Sequence, residues 1–131
     1  MRYLKVIYVI TALIAGSPNQ KPIEQIPKKE YPNITVADVQ KKIYIKNNIL
    51  LLDVRTLDEF DGPLGHIAGA VLIPIQEIEQ RIDELNKHKE KEIIVICRSG
   101  NRSQTGTRIL ISHGFNAVNM VGGMKAWNDL H

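Results

Sequence analysis

Ile93-Ile94-Val95-Ile96-Cys97-Arg98-Ser99-Gly100-Asn101-Arg102-Ser103 joins four successive apolar residues to a short polar loop that opens on a cysteine. A β-branched apolar run this short fits a strand buried on both faces. Residues Ser103 to His113 then read as a helix, and Gly114 stands where a helix end is readily capped. The unit is strand, loop, helix, with Cys97 at the carboxyl end of the strand.

The same plan extends to either side. Thr35 is placed to cap a helix over Val36 to Lys46, with Val36, Val39, Ile43 and Tyr44 near one face. Ile49-Leu50-Leu51-Leu52-Asp53-Val54 reads as a second buried strand, and Thr56-Leu57-Asp58-Glu59 matches a capping box that starts a brief helical turn. Ala70-Val71-Leu72-Ile73 is a short strand closed by Pro74, and Glu77 to His88 places Ile78, Ile82 and Leu85 at helical spacing. Ala117-Val118-Asn119-Met120 predicts a last strand and Met124 to Leu130 a last helix. Alternating strands and amphipathic helices imply an α/β domain whose parallel sheet is covered on both faces. In open sheets of this kind ligands sit beyond the carboxyl ends of the strands, where Cys97 lies.

The chain has 131 residues, 44% of them hydrophobic, enough for one compact domain. Its formal charge is +3. Setting aside Arg2 and Lys5 of the N-terminal segment leaves 15 of the 17 basic residues against 14 acidic ones. So balanced a domain lacks the basic face that nucleic-acid binding calls for. Cys97 is the only cysteine, so no intramolecular disulfide can form. No histidine or carboxylate cluster has metal-ligand spacing, no glycine-rich nucleotide loop is present, and no cofactor is expected. The charge run from Glu84 to Glu92 reads as a solvated helix end and linker.

The chain opens with a basic stretch, Met1-Arg2-Tyr3-Leu4-Lys5, an uncharged run from Val6 to Ala15, and the small and polar residues Gly16-Ser17-Pro18-Asn19. This is the layout of a secretory signal, and the apolar run is well short of the roughly 20 residues that span a bilayer. Residues 1–17 are therefore expected to be a signal peptide or N-terminal anchor, with export to the periplasm or cell surface. A buried first strand is the competing reading. The cleavage site is poorly specified, so a membrane tether persists if the segment is not cut. Residues 18–33 carry Pro18, Pro22, Pro27 and Pro32 and are expected to be a linker, leaving residues 34–131 as the domain.

The Cys97 loop has the parts of an anion cup with a nucleophile at its base. Thiolate is the reactive form of cysteine, and it is favoured beside cations and helix N-termini. Arg98 and Arg102 supply charge, the following helix supplies its positive end, and Gly100 lets the loop curl so that backbone N–H groups turn inward. A cysteine merely packed at a strand end would not need two arginines and a glycine in the next five residues.

These stretches, taken together, resemble the rhodanese family over roughly residues 31–131. The resemblance is carried by Leu52-Asp53-Val54-Arg55 with Glu59-Phe60, by Gly65-His66-Ile67-Ala68-Gly69-Ala70 leading to Ile73-Pro74, by the Cys97 loop, by Gly114-Phe115, and by Val121-Gly122-Gly123-Met124-Lys125-Ala126-Trp127. One departure is visible: four residues, Asp61-Gly62-Pro63-Leu64, separate Phe60 from Gly65 where many relatives have two. The resemblance implies an α/β domain with a parallel sheet of about five strands, and a sulfurtransferase that works through a Cys97 persulfide. A small anionic donor such as thiosulfate would load the cysteine, and a thiol or cyanide would unload it. Backbone amides of residues 98 to 102 would hold the outer sulfur, with Arg98, Ser99, Gly100, Asn101, Arg102 and Ser103 forming the substrate site. Asp53 and Arg55 either brace this loop from beneath or form a plain structural ion pair, and His66 is expected to be a hydrogen-bonded structural residue.

Two other functions compete. Phosphatases of related fold place five residues between cysteine and arginine, whereas four separate Cys97 from Arg102, a smaller cup that suits one sulfur atom better than phosphate. A noncatalytic module, or one dedicated to a protein donor or acceptor, would carry the same loop. Retention of Cys97 favours chemistry. Outside the cytoplasm its thiol would also be prone to oxidation or intermolecular pairing.

Overall fold

The computed structural model describes residues 31–45 and 48–131. The expected signal segment and most of the expected linker lie outside the described residues. Pro32 and Asn33, at the end of that stretch, belong to the domain: Asn33–Ile34 forms strand β1, and the amide of Asn119 donates to the Pro32 carbonyl at 2.9 Å. Two residues with an adjoining proline carry no alternating pattern, which is why the sequence reads there as linker.

Helix α1 (Val36–Tyr44) starts at Thr35, whose hydroxyl accepts from the amide of Asp38 at 3.1 Å. Strand β2 (Ile49–Asp53) follows, then a single helical turn, α2 (Leu57–Phe60). The capping box at α2 is complete: the Thr56 hydroxyl accepts from the Glu59 amide, and the Glu59 carboxylate accepts from the Thr56 amide. After β3 (Val71–Leu72) come β4 (Glu92–Ile96), α3 (Asn101–Ser112), β5 (Asn116–Met120) and α4 (Gly123–Asp129).

One expected helix is different. Residues 77–88 do not form a continuous α-helix but belong to two 3₁₀ segments, Ile75–Glu77 and Ile82–His88, with turns between them. The apolar side chains explain this. Ile75 and Ile78, and again Ile82 and Leu85, are three residues apart, and a three-residue turn stacks each pair on one side. The Ile75 amide also donates to the Val54 carbonyl at 2.9 Å, fixing the start of the segment to the end of β2.

The five strands form one parallel sheet in the order β1-β5-β4-β2-β3. Because successive side chains alternate, β4 feeds two cores at once. Ile93, Val95 and Cys97 join Leu50, Leu52, Ile78, Leu85 and Leu110 on the face covered by α3 and the 3₁₀ segments. Ile94 and Ile96 join Val39, Leu51, Val118, Met120 and Met124 on the face covered by α1 and α4. All five strands run the same way, so the loops after β2, β4 and β5 meet at one end of the sheet. Among the described residues, no helix is long and apolar enough to cross a membrane.

Candidate active site

Cys97 leaves β4 fully packed, 1% exposed, while Arg98 and Ser99 emerge to solvent. The chain then turns on Gly100, whose φ of +104° is a conformation that side-chain-bearing residues rarely adopt. That turn aims the Gly100 amide back at the cysteine, with N to Sγ at 2.9 Å. Gly100 is also the N-cap of α3, so the first free amides of a twelve-residue helix open beside the sulfur. An amide and the positive end of a helix favour negative charge at this position.

A second helix clasps the loop from the other side. At the start of α4 the Met124 amide donates to the Cys97 carbonyl at 2.8 Å, and the Lys125 amide donates to the Arg98 carbonyl at 3.0 Å. The approach is so close that a methyl group on Gly123 would lie 2.4 Å from the Cys97 carbonyl oxygen. The Gly122-Gly123 pair is therefore a docking surface for the loop.

Two arginines with distinct tasks form the side wall. Arg55, 1% exposed, makes a fork-to-fork ion pair with Asp53. It also donates to the carbonyls of Glu59 at 3.1 Å and Gly65 at 2.7 Å. It is the tie between β2, α2 and the turn before His66. The hydrogen bonds of the Asp53–Arg55 pair run to this frame, and Arg55 shares a recess with Arg98 of the Cys97 loop. Arg102 binds Glu59 through both terminal nitrogens at 2.6 Å. It therefore meets any incoming anion as half of an ion pair. The Arg102 guanidinium, mainly through these hydrogen bonds, holds the Glu59 carboxyl at about 2 despite the opposing effect of burial. Glu59 in turn raises the pKa of Arg102, with smaller contributions from Cys97 and Asp53.

His66 is exposed, stacked on Phe60 with ring centroids 3.6 Å apart, and its Nδ1 lies 2.9 Å from the Phe60 carbonyl. Both contacts are to Phe60, across the turn that precedes it. Ser103 is fully buried, with Oγ 3.2 Å from Cys97 Sγ, and its hydroxyl donates to Asn119 Oδ1. Ser99 and Asn101 are exposed on the outside of the loop.

Two recesses flank the loop. One, of about 240 Å³, lies between Arg55, Glu59, Pro63, Leu64 and Arg98. The longer turn at residues 61–64 therefore supplies an apolar rim here, fixed by the bond from Asn128 Nδ2 to the Leu64 carbonyl. The other, of about 130 Å³, is polar and includes Asn33, Ser99, Asn101, Gln104 and Asn119. A larger recess of about 570 Å³ lies at the opposite end of the sheet, near Lys42, Glu92 and Asn116, away from the cysteine. Among the described residues, no group of three or more histidine, cysteine or acidic side chains could hold a metal ion.

Two residues gain importance from the structure. Glu59 is visible in sequence as a helix-capping residue, but its hold on Arg102 spans 43 positions. Asn119 does carry a signal: it is a polar residue inside an otherwise apolar strand, and such a residue needs a buried partner.

Comparison with known proteins agrees with this architecture. The model of the rhodanese-like domain family matches residues 35–130. YtwF of Bacillus subtilis (strain 168), a protein named as a sulfurtransferase, is 38% identical over 98 residues, 75% of this chain and 91% of its own. YrkF of the same organism, named as a sulfur carrier protein, is also 38% identical, over 73% of this chain, but the match spans only half of YrkF. Among solved structures, a rhodanese-related protein from Thermoplasma volcanium superposes with a TM-score of 0.68 at 33% identity, covering 76% of this chain and 93% of its own.

Proposed function

Because the chain belongs to the rhodanese-like domain family, we propose that it is a sulfurtransferase that carries sulfane sulfur as a persulfide on Cys97. The observation that carries this reading is the setting of one sulfur atom. Cys97 Sγ accepts the Gly100 amide at 2.9 Å and faces the N-terminus of α3. A negative sulfur is stabilised there by groups already in place, which need no reorganisation when charge develops.

The chemistry is a pair of displacements at sulfur. In the first, the Cys97 thiolate attacks the outer sulfur of an anionic donor such as thiosulfate. A sulfur–sulfur bond forms to Cys97, the bond within the donor breaks, and its electron pair leaves on sulfite. In the second, an acceptor thiolate or cyanide attacks the outer sulfur of the persulfide and returns the electron pair to Cys97. Arg98, exposed on the rim, steers the donor, and the Glu59–Arg102 pair fixes the wall against which it docks. At 1% exposure Cys97 is open only to reactants that fit the cup, which favours a small donor or a partner that presents its sulfur on a narrow arm.

The test is the intact mass of the reduced protein after thiosulfate, with and without cyanide, beside Cys97→Ala. The expected result is a gain of one sulfur atom that cyanide removes as thiocyanate and that the alanine variant lacks. If reduced wild-type protein gains no sulfur from thiosulfate, free thiosulfate is not the donor. Loading from a protein persulfide would then support a carrier role like that in the name of YrkF, and failure of both would sink sulfur transfer.

A further inference from the structure

Behind Cys97 a chain of buried side chains crosses from α3 to β5 and on to β1. Cys97 Sγ lies 3.2 Å from Ser103 Oγ, Ser103 donates to Asn119 Oδ1 at 2.5 Å, and Asn119 Nδ2 donates to Asn33 Oδ1 at 3.0 Å. Ser103 is fully buried and Asn119 is 2% exposed, so neither can exchange these partners for bulk water. Asn33 is exposed and lines the polar recess on that side of the loop.

Proton counting shows what this chain can do. A serine hydroxyl owns one proton. In the structure Ser103 gives it to Asn119, so the contact with Cys97 is complete only if the thiol donates its own proton to Ser103 Oγ. A thiolate, or the inner sulfur of a persulfide, has no proton and can only accept. Ser103 must then swing its hydrogen onto Sγ, which leaves two oxygens, Oγ and Asn119 Oδ1, facing each other. Rotating the Asn119 amide by half a turn removes that conflict, because it presents N–H to Oγ without changing the shape of the side chain. The far end of the chain adjusts at Asn33, which has the open recess beside it.

We propose that Asn119 is a positioning residue that acts through Ser103: by turning its amide it releases the serine proton to the Cys97 sulfur when that sulfur has lost its own. The proposal deepens the reading of Cys97 as the reacting group. It needs no sulfur donor to be tested.

The experiment is the second-order rate of Cys97 alkylation by iodoacetamide in the full chain, for the wild type, Ser103→Ala, Asn119→Asp and the double variant. An ionised aspartate can only accept, so N119D keeps the Ser103 proton on position 119. Each single variant is expected to react about tenfold more slowly, the low end for loss of a hydrogen bond to a charged group. The aspartate charge also repels the thiolate directly, so N119D is expected to slow the reaction less in the S103A background than in wild type, only that direct repulsion remaining. Ser103→Thr, which keeps a hydroxyl, restores most of the rate. Asn119→Leu cannot hold the proton and stays within about threefold of wild type by the same hydrogen-bond argument. If N119D slows the reaction as much in the S103A background as in wild type, or if N119L is as slow as N119D, the proposal is wrong. Should N119D fail to fold, the small effect of N119L must vanish in S103A, and its persistence overturns the proposal equally. Sulfur loading by thiosulfate is run in parallel. An alkylation pattern as expected with no loading supports the positioning role and rejects that donor, whereas loading with no such pattern rejects the role of Asn119 and leaves sulfur transfer intact.

Discussion

At the scale of single residues, the site is organised by partners that are far apart in the chain. Arg102 belongs to the loop that the sequence marks as an anion cup, yet its guanidinium is held by Glu59 from the capping box of α2. The loop's own spacing carries no trace of this pairing, because one element supplies the cation and another the carboxylate. Glu59 is depressed from 4.5 to about 2 in the folded protein, so the pair contributes stability above the unfolded value. That contribution falls as pH drops from about 4.5 through 2, where folded and unfolded chains both become protonated. The two side chains retain 35% and 28% of their exposure, so solvent screening keeps the contribution near that of a good surface pair. Glu59→Gln is therefore expected to cost about 1 kcal/mol at pH 7, the upper end for such pairs, helped by fork-to-fork geometry. Urea denaturation across pH checks it: the gap between wild type and E59Q should hold at pH 6 and close by about pH 2. A gap that persists unchanged at pH 2 would assign it to packing.

At the scale of elements, four of the five strands and most helices were legible because their signals are local, β1 being the exception. The Thr35 and Thr56 caps sit where their side-chain chemistry places them, and β2, β4 and β5 follow their apolar runs. What local signals did not carry is why α4 begins at Gly123. That glycine sits at φ +57° against the Cys97 loop, and an added methyl would lie 2.6 Å from both the carbonyl carbon and the oxygen of Arg98. Those atoms are backbone and cannot swing aside. Gly123→Ala is expected to cost about 3 kcal/mol, combining the left-handed backbone penalty with overpacking. It should also disturb Cys97, since relief of the clash must pull α4 or the loop away from the two hydrogen bonds that join them. Thermal unfolding and Cys97 alkylation, measured together below the unfolding transition, should both change. A destabilised G123A whose folded form alkylates at the wild-type rate would show that α4 merely packs there and does not set the loop.

For the whole molecule, the parallel sheet divides labour between its faces. The α/β class with a parallel sheet was readable from alternation, and Cys97 was readable at the carboxyl end of a strand, where the structure places it. The division between the two cores was not readable, because a strand buried on both sides shows a continuous apolar run that hides which residue faces which helix. The structure places Cys97 with Val95 on the α3 face and Ile94 on the α1 and α4 face. Truncating a residue of the α1 and α4 core therefore tests whether stability drawn from one face is separable from reactivity set on the other. Ile94 is fully buried at the centre of the sheet, and Ile94→Ala should cost roughly 2–5 kcal/mol through lost apolar transfer and the cavity left behind. That is a large share of the 5–15 kcal/mol on which a domain typically rests. The Gly100 amide, the α3 terminus and Ser103 all address the sulfur from the opposite face and are expected to keep their geometry when Ile94 is truncated. The urea midpoint of I94A should fall sharply, while its alkylation rate, measured where the variant is still folded, should stay within about twofold of wild type, a difference of well under 1 kcal/mol. A rate that drops together with stability would mean that the sheet transmits the cavity to the loop, and that the two faces act as one unit.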